Sequence, residues 1–171
     1  MARVNPKTEA QFVELFNTHL SAVVNFAARR ASRNDAIDIA AETFSIAWRR
    51  LDEVPAENAL PWLYEVARRV LSNQRRGTLR RSSLHDKLCA EWIPQLALIP
   101  ESAEHSPAYD ALRTLSDDDQ ELLLLSGIEE LRPAEIAVVL NLSPAVVRNR
   151  LSRARSRLRD AMNRVEGRQT T

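Results

Sequence analysis

Glycine is nearly missing from this sequence: only Gly77, Gly127 and Gly167 occur, each far from the others. A phosphate-cradling loop needs clustered glycines so that backbone N–H groups reach the anion, and nucleotide-binding loops of that kind are excluded. A single cysteine, Cys89, excludes an internal disulfide framework and a multi-thiolate zinc site. No apolar run approaches the roughly 20 residues that span a bilayer, and the N-terminus lacks the short apolar core of a signal peptide. A cytoplasmic protein with no membrane insertion is therefore expected. Lysine is scarce too: of 24 basic side chains, Lys7 and Lys87 are lysine and the rest are arginine.

What is present is a chain of 171 residues, 44% hydrophobic and 27% charged, with a net charge of +1. That length suits one sizeable domain or two small ones, and the apolar fraction is enough for a core. The near-zero net charge conceals segregation. Residues 62–81 hold six arginines against one acid, Glu65, and residues 144–164 hold seven against Asp160. The remainder of the chain is correspondingly acidic. Arginine forms bidentate contacts with phosphate and guanine, so two compact arginine blocks point to two places where a polyanion is gripped. A pair of solvated helix faces is the plainer reading of the same composition.

Hydrophobic spacing predicts helices throughout and no strand. Residues 8–31 repeat Phe12, Leu15, Phe16, Val23, Phe26 and Ala27 at helical spacing, with Thr8 and Gln11 as a capping box. Residues 35–51 carry a cleaner stripe, Ile37, Ala40, Ala41, Phe44, Ala47, Trp48 and Leu51, behind Asn34 as N-cap. Residues 52–60 read as a loop around Pro55, and Pro61 sits in the first turn of a third helix running to about Arg76. From 77 to 107 the periodicity dissolves among Pro94, Pro100 and Pro107, which predicts a flexible linker. Four short helices are expected at 108–115, 117–126, 133–140 and 144–162. Ser116 and Ser143 are suited to N-caps, and Asn141 to a left-handed turn. The expected fold is all-α: a helical bundle over 1–76, a linker over 77–107, and a second helical domain over 108–171.

Residues 133–159 have the physics of a helix-turn-helix. Ile136, Ala137, Leu140, Leu142, Val147, Leu151, Ala154 and Leu158 form the inward set, leaving Arg148, Asn149, Ser152, Arg153 and Arg155 outward. A short helix then braces a longer one that presents groups able to read base edges and hold phosphates. An αα-hairpin with a basic face has the same pattern. Arginine confined to the second helix, behind a tight turn, favours DNA binding.

At these residues a family resemblance emerges. Leu115, Leu122 to Leu125, Glu135-Ile136-Ala137 and Arg150-Leu151-Ser152-Arg153-Ala154-Arg155 resemble, in order and spacing, region 4 of the extracytoplasmic-function (group IV) sigma factors of bacterial RNA polymerase. DAIDIAAETFSIAWRRL at 35–51 resembles their region 2.2, through Asp35, Ala36, Asp38, Glu42, Thr43, Phe44, Ala47, Trp48 and Arg49. LPWLYEVARRVLSNQRR at 60–76 resembles regions 2.3–2.4, through Trp62, Leu63, Tyr64, Ala67, Arg68 and Arg76. The resemblance implies a dissociable specificity subunit, not an enzyme and without a cofactor, whose partners are core RNA polymerase, promoter DNA and an anti-sigma factor. It implies core binding at Asp38, Glu42, Ser45 and Arg49. It implies contact with −10 DNA at Asn58, Arg68, Arg69, Asn73, Arg75 and Arg76. Contact with −35 DNA is implied at Arg148, Asn149, Arg150, Ser152, Arg153 and Arg155. Five departures stand out. Ile37 and Ala41 replace acidic and amide residues of region 2.2, which points to an altered polymerase contact. Arg69 and Asn73 stand where the family has Asn and Asp, and Arg132 replaces the common polar cap before the helix-turn-helix.

Two other function classes fit parts of the sequence. A stand-alone helix-turn-helix regulator explains residues 108–164 but leaves the first arginine block and the tryptophan-containing helices without a role. An enzyme such as a recombinase needs a nucleophile among arginines or paired carboxylates on a metal. Asp38 and Glu42, four apart, satisfy only the crudest form of the latter, and His85, Cys89 and His105 do not complete a ligand set.

Overall fold

A computed structural model describes residues 6–74 and 106–169. The chain divides into two compact units, Met1–Ala97 and Leu98–Thr171, and the described residues contain helices and turns but no strand. The expected linker, 77–107, lies almost wholly outside the described residues.

Among the described residues, the first unit holds a bundle of three helices, α1 (Pro6–Ala28), α2 (Arg33–Arg49) and α3 (Ala59–Gln74), with a 3-10 turn at Leu51–Glu53. Helix α1 begins on a proline, whose missing N–H costs nothing in a first turn, so Thr8 falls inside the helix and is not its cap. Its C-terminal half carries the core residues Leu20, Val23, Val24, Phe26 and Ala27. Just beyond α1, the Arg30 guanidinium lies 3.7 Å from the centroid of the Phe26 ring and donates to the Phe26 carbonyl at 2.9 Å. The opposite partner of Phe26 is Tyr64 of α3, whose ring stacks on it at 4.4 Å.

Helix α2 is the centre of the bundle. Its N-cap is Ser32, not Asn34: the Ser32 hydroxyl accepts from the Asp35 N–H at 3.3 Å and donates to the Asp35 carboxylate at 2.6 Å. Ser32 and Asp35 have the capping-box spacing, which outcompetes an isolated asparagine two residues later. Ala36, Ile37, Ile39, Ala40, Ala41, Thr43, Phe44 and Ala47 are all buried. The Thr43 hydroxyl is satisfied by donating to the Ile39 carbonyl at 2.7 Å, so its burial leaves no stranded donor. Trp48, expected inside, is 36% exposed. The four alanines admit α1 and α3 so closely that an indole fits only at the rim, where Trp48 meets the edge of Phe12 at 5.0 Å.

The second unit contains α4 (Pro107–Arg113), α5 (Asp117–Gly127), α6 (Pro133–Leu140) and α7 (Pro144–Gln169). Each of the first two has a serine cap: Ser106 accepts from Tyr109 N–H and Ser116 from Asp119 N–H. Three aspartates in the first turn of α5 complement its dipole. Helix α7 runs past the expected 162 to Gln169, and Ala161 is buried like Val147, Leu151 and Ala154 on the same inward face. Leu140, Leu142 and Leu158, expected inside, are half-buried, and Val139 takes a fully inward place instead.

The α6–α7 turn has the geometry its residues predict. Asn141 adopts φ 52°, ψ 50°. The Asn141 N–H donates to the Val138 carbonyl at 3.3 Å and the Leu142 N–H to Ala137 at 3.0 Å, the double closure of a Schellman motif. Ser143 then caps α7 by accepting from Val146 N–H at 3.3 Å. The left-handed conformation is uncostly for glycine and tolerable for asparagine, but alanine adds a Cβ clash. Asn141→Gly should therefore leave stability within a few tenths of a kcal/mol, while Asn141→Ala should cost about 1 kcal/mol. Urea unfolding midpoints of the three proteins check this ordering.

Candidate functional site

Three exposed polar surfaces emerge from this packing. On α2 the buried positions spread over roughly 200° of the circumference, given 3.6 residues per turn. The remaining arc is a strip of Asp38, Glu42, Ser45 and Arg49. The first three are half-buried and Arg49 is exposed, with its guanidinium 3.1 Å from the Glu42 carboxylate. Ile37 and Ala41 lie in the core at 2% and 1% exposure, so these departures act on packing and are not part of the strip.

The second surface runs from the loop at 54–58 along the outer face of α3. Asn58, Arg68, Arg69 and Asn73 are exposed on it, and Arg69 pairs with Glu65 one turn back. Arg75 and Arg76 lie outside the described residues, as do His85, Cys89 and His105. Trp62, which starts the apolar face of α3, is half-buried and not fully core. The Arg50 guanidinium lies 5.6 Å from the centroid of its ring, while its Nε donates to Glu53 at 3.0 Å. That pairing raises the Arg50 pKa and lowers that of Glu53, chiefly through the hydrogen bond.

The third surface is α7. Arg148, Asn149, Arg150, Ser152, Arg153 and Arg155 are all exposed, opposite Val147, Leu151 and Ala154. Among the described residues no ion pair engages Arg148, Arg150 or Arg153. Arg155 does have a partner, donating to the Ser126 hydroxyl at 3.0 Å. Arg157 is ion-paired with Asp119 at 2.7 Å. No local pattern announces that pair, because 38 residues separate its members.

Arg132, the unusual residue before α6, closes the helix start in its own way. An arginine has no acceptor for the orphan N–H groups of a first turn. Glu135 supplies one instead: its carboxylate accepts from the Arg132 backbone N–H at 2.7 Å and from both Nε and Nη2 of the same side chain at 3.2 and 2.9 Å. The Arg132 side-chain hydrogen bond, then its backbone N–H, hold the Glu135 carboxyl below the ordinary glutamate range. A depressed acid stabilises the fold fully above its unfolded pKa, and that contribution is lost as pH falls through the folded value. Glu135→Gln should flatten the acid side of the stability curve below the ordinary glutamate pKa. Thermal unfolding of both proteins across that range measures the difference in slope.

Two helical units, each with an arginine-bearing outer face and the second ending in a helix-turn-helix, define a DNA-binding transcription protein. Sequence comparison narrows the class. Sigma-70 region 2 matches residues 15–81, and Sigma-70, region 4 matches residues 106–158. The probable RNA polymerase sigma factor RfaY of Xanthomonas campestris pv. campestris is 37% identical over 139 residues, covering 73% of this chain. This chain spans 33% of that relative's length. The ECF RNA polymerase sigma factor SigM of Bacillus subtilis is 26% identical over 161 residues, covering 88% of this chain and 94% of SigM. The fold is shared with the sigma factor RpoE of Bartonella quintana, solved in complex with the anti-sigma factor NepR. The TM-score is 0.62 at 23% identity, over 89% of this chain and 96% of that one.

This chain belongs to the extracytoplasmic-function sigma factors of RNA polymerase, the class of subunit that directs transcription from promoters. A region 2 match across the first unit disfavours the stand-alone regulator. No described helix is long and apolar enough to cross a membrane.

Proposed function

We propose that this chain binds core RNA polymerase in the cytoplasm and gives it promoter specificity without chemistry of its own. Residues 1–76 form the core-binding and −10 unit, residues 77–107 the linker, and residues 108–171 the −35 unit. The observation that carries the reading is the division of α7. Its inner face is buried against the unit, while Arg148, Asn149, Ser152 and Arg153 stand exposed near its N-terminal half. A helix so rotated meets base edges with its outer face and phosphates with its flanks. The exposure of Asn58, Arg68, Arg69 and Asn73 supports a contact with the −10 strand, and Arg75 and Arg76 extend the same arginine block. Extruding a base there costs a few kcal/mol, which stacking and polar contacts offset. RpoE and NepR were solved together, and this shared fold supports an anti-sigma partner for this chain.

Core binding is assigned to the strip Asp38, Glu42, Ser45 and Arg49. Charge reversal of Asp38 and Glu42 together should weaken capture of core polymerase and reduce run-off transcription, with helicity by circular dichroism preserved. Unchanged affinity for core would remove the assignment.

Arg148 donates bidentately to guanine and Asn149 pairs with adenine, each worth ~1–3 kcal/mol of discrimination. Arg150, Arg153 and Arg155 flank that line at phosphate positions. Arg153→Ala should weaken all promoter sequences alike and lower the salt slope by ~1, whereas Arg148→Ala should relax preference at one or two −35 positions. Binding of promoter variants by holoenzyme at several salt concentrations separates the two effects.

A further inference from the structure

Two of the exposed arginines on α7 are anchored at opposite ends of one helix. Arg155 Nη2 donates to the Ser126 hydroxyl in the last turn of α5, at 3.0 Å. Arg157 Nη1 reaches the Asp119 carboxylate in the first turn of α5, at 2.7 Å. Residues two apart on a helix project about 200° from each other, so these arginines leave α7 from opposite flanks. Asp119 and Ser126 are seven apart, which places them on one face of α5 about 10 Å from each other along its axis. The crossing of α5 and α7 is thus held by one polar tie on each side.

Apolar packing does not fill the crossing at the Asp119 end. An open cleft of about 350 Å3 surrounds that ion pair, with Thr114, Ser116, Asp160 and Arg164 among its walls. The Asp119 side chain is 9% exposed and the Arg157 side chain 58% exposed. A carboxylate so far from water needs its cationic partner. Val147, Leu151 and Ala154 cover only a narrow arc of α7, so they restrain its rotation less than a broad buried arc such as that of α2 restrains its helix. Rolling by a fraction of a turn would carry Arg148 and Asn149 away from the base edges they face.

We propose that Ser126 and Asp119 are positioning residues for promoter reading: with Arg155 and Arg157 they form a two-armed clasp that fixes the rotation of α7. The inference rests on α7 being the −35 reading helix. It takes Arg155 from a flanking phosphate position to a tether, and it gives Arg157 a role. Neither α5 residue touches DNA.

The test uses holoenzyme and compares binding to the preferred promoter with binding to −35 substituted promoters. Ser126→Ala with Asp119→Asn should reduce the −35 discrimination ratio to about a third of wild type or less, while the salt slope and non-specific binding stay unchanged. Asp118→Asn is the control, since it removes an exposed first-turn acid of α5 with the same dipole effect but no tie to α7. It should keep discrimination at the wild-type level. Arg157→Lys should retain most of the discrimination and Arg157→Gln should lose it, with no further loss when combined with Asp119→Asn. Two results overturn the clasp: full discrimination in the double α5 variant, or an equal loss in Asp118→Asn. If Arg148→Ala also leaves discrimination intact, the −35 reading of α7 falls with it. If Arg148→Ala relaxes it, the clasp alone is wrong.

Discussion

Eight buried positions, spread over about 200° of α2, allow that helix one rotation between α1 and α3. Ala36, Ala40, Ala41 and Ala47 bring the neighbouring backbones close, and Phe44 with Ile37 and Ile39 fills the space between them. Close packing of this kind has no equivalent at another rotation, because each methyl group meets a different hole. The surface strip follows from that constraint. Asp38, Glu42, Ser45 and Arg49 face outward because every other arc of the helix is occupied. A shift of one residue in the pattern would bury a charge and expose an aromatic ring.

The second unit solves the same problem with less apolar material. Helix α7 buries Val147, Leu151, Ala154 and Ala161, a narrower stripe of mostly small side chains. Its remaining circumference is given to polar groups, seven of them arginines between 144 and 164. A narrow stripe fixes a helix against displacement better than against roll. Hydrogen bonds and ion pairs reaching across from α5 supply what the stripe lacks. The Schellman closure at Asn141 and the Ser143 cap fix where α7 begins, so its first two turns, which carry Arg148 and Asn149, are placed by backbone geometry as well.

Much of this was legible in the residues, and the failures share a cause. Element type followed from periodicity, and the ends at Ser116, Asn141 and Ser143 followed from local chemistry that acts within four residues. Helix α1 hid its start because Pro6 suits the first helical position, which left Thr8 as a decoy. Ser32 was passed over for Asn34 because the choice depends on which residue pairs with Asp35. Trp48 was misplaced because periodicity reports direction around a helix and not the room available there. The Arg132 closure needed the observation that Glu135 bonds both the backbone and the guanidinium of one residue. The ties from α5 to α7 involve partners about 30 and 40 residues apart, and no spacing rule reaches that far.

Arginine content alone therefore overstates how much free positive charge α7 presents. Of the arginines on its central turns, Arg155 and Arg157 are held by Ser126 and Asp119, whereas Arg148, Arg150 and Arg153 have no ion pair among the described residues. The same sorting occurs in the first unit, where Arg49, Arg50 and Arg69 pair with Glu42, Glu53 and Glu65 while Arg68 stands exposed beside them. An exposed ion pair is worth little to stability, yet it fixes a guanidinium that would otherwise sample many rotamers. Acids one or two turns away, or on a neighbouring helix, thus decide which arginines brace the scaffold and which remain available to a polyanion. The acidic residues outside the two arginine blocks keep the net charge near zero. They also confine the positive field to the two arginine-bearing faces.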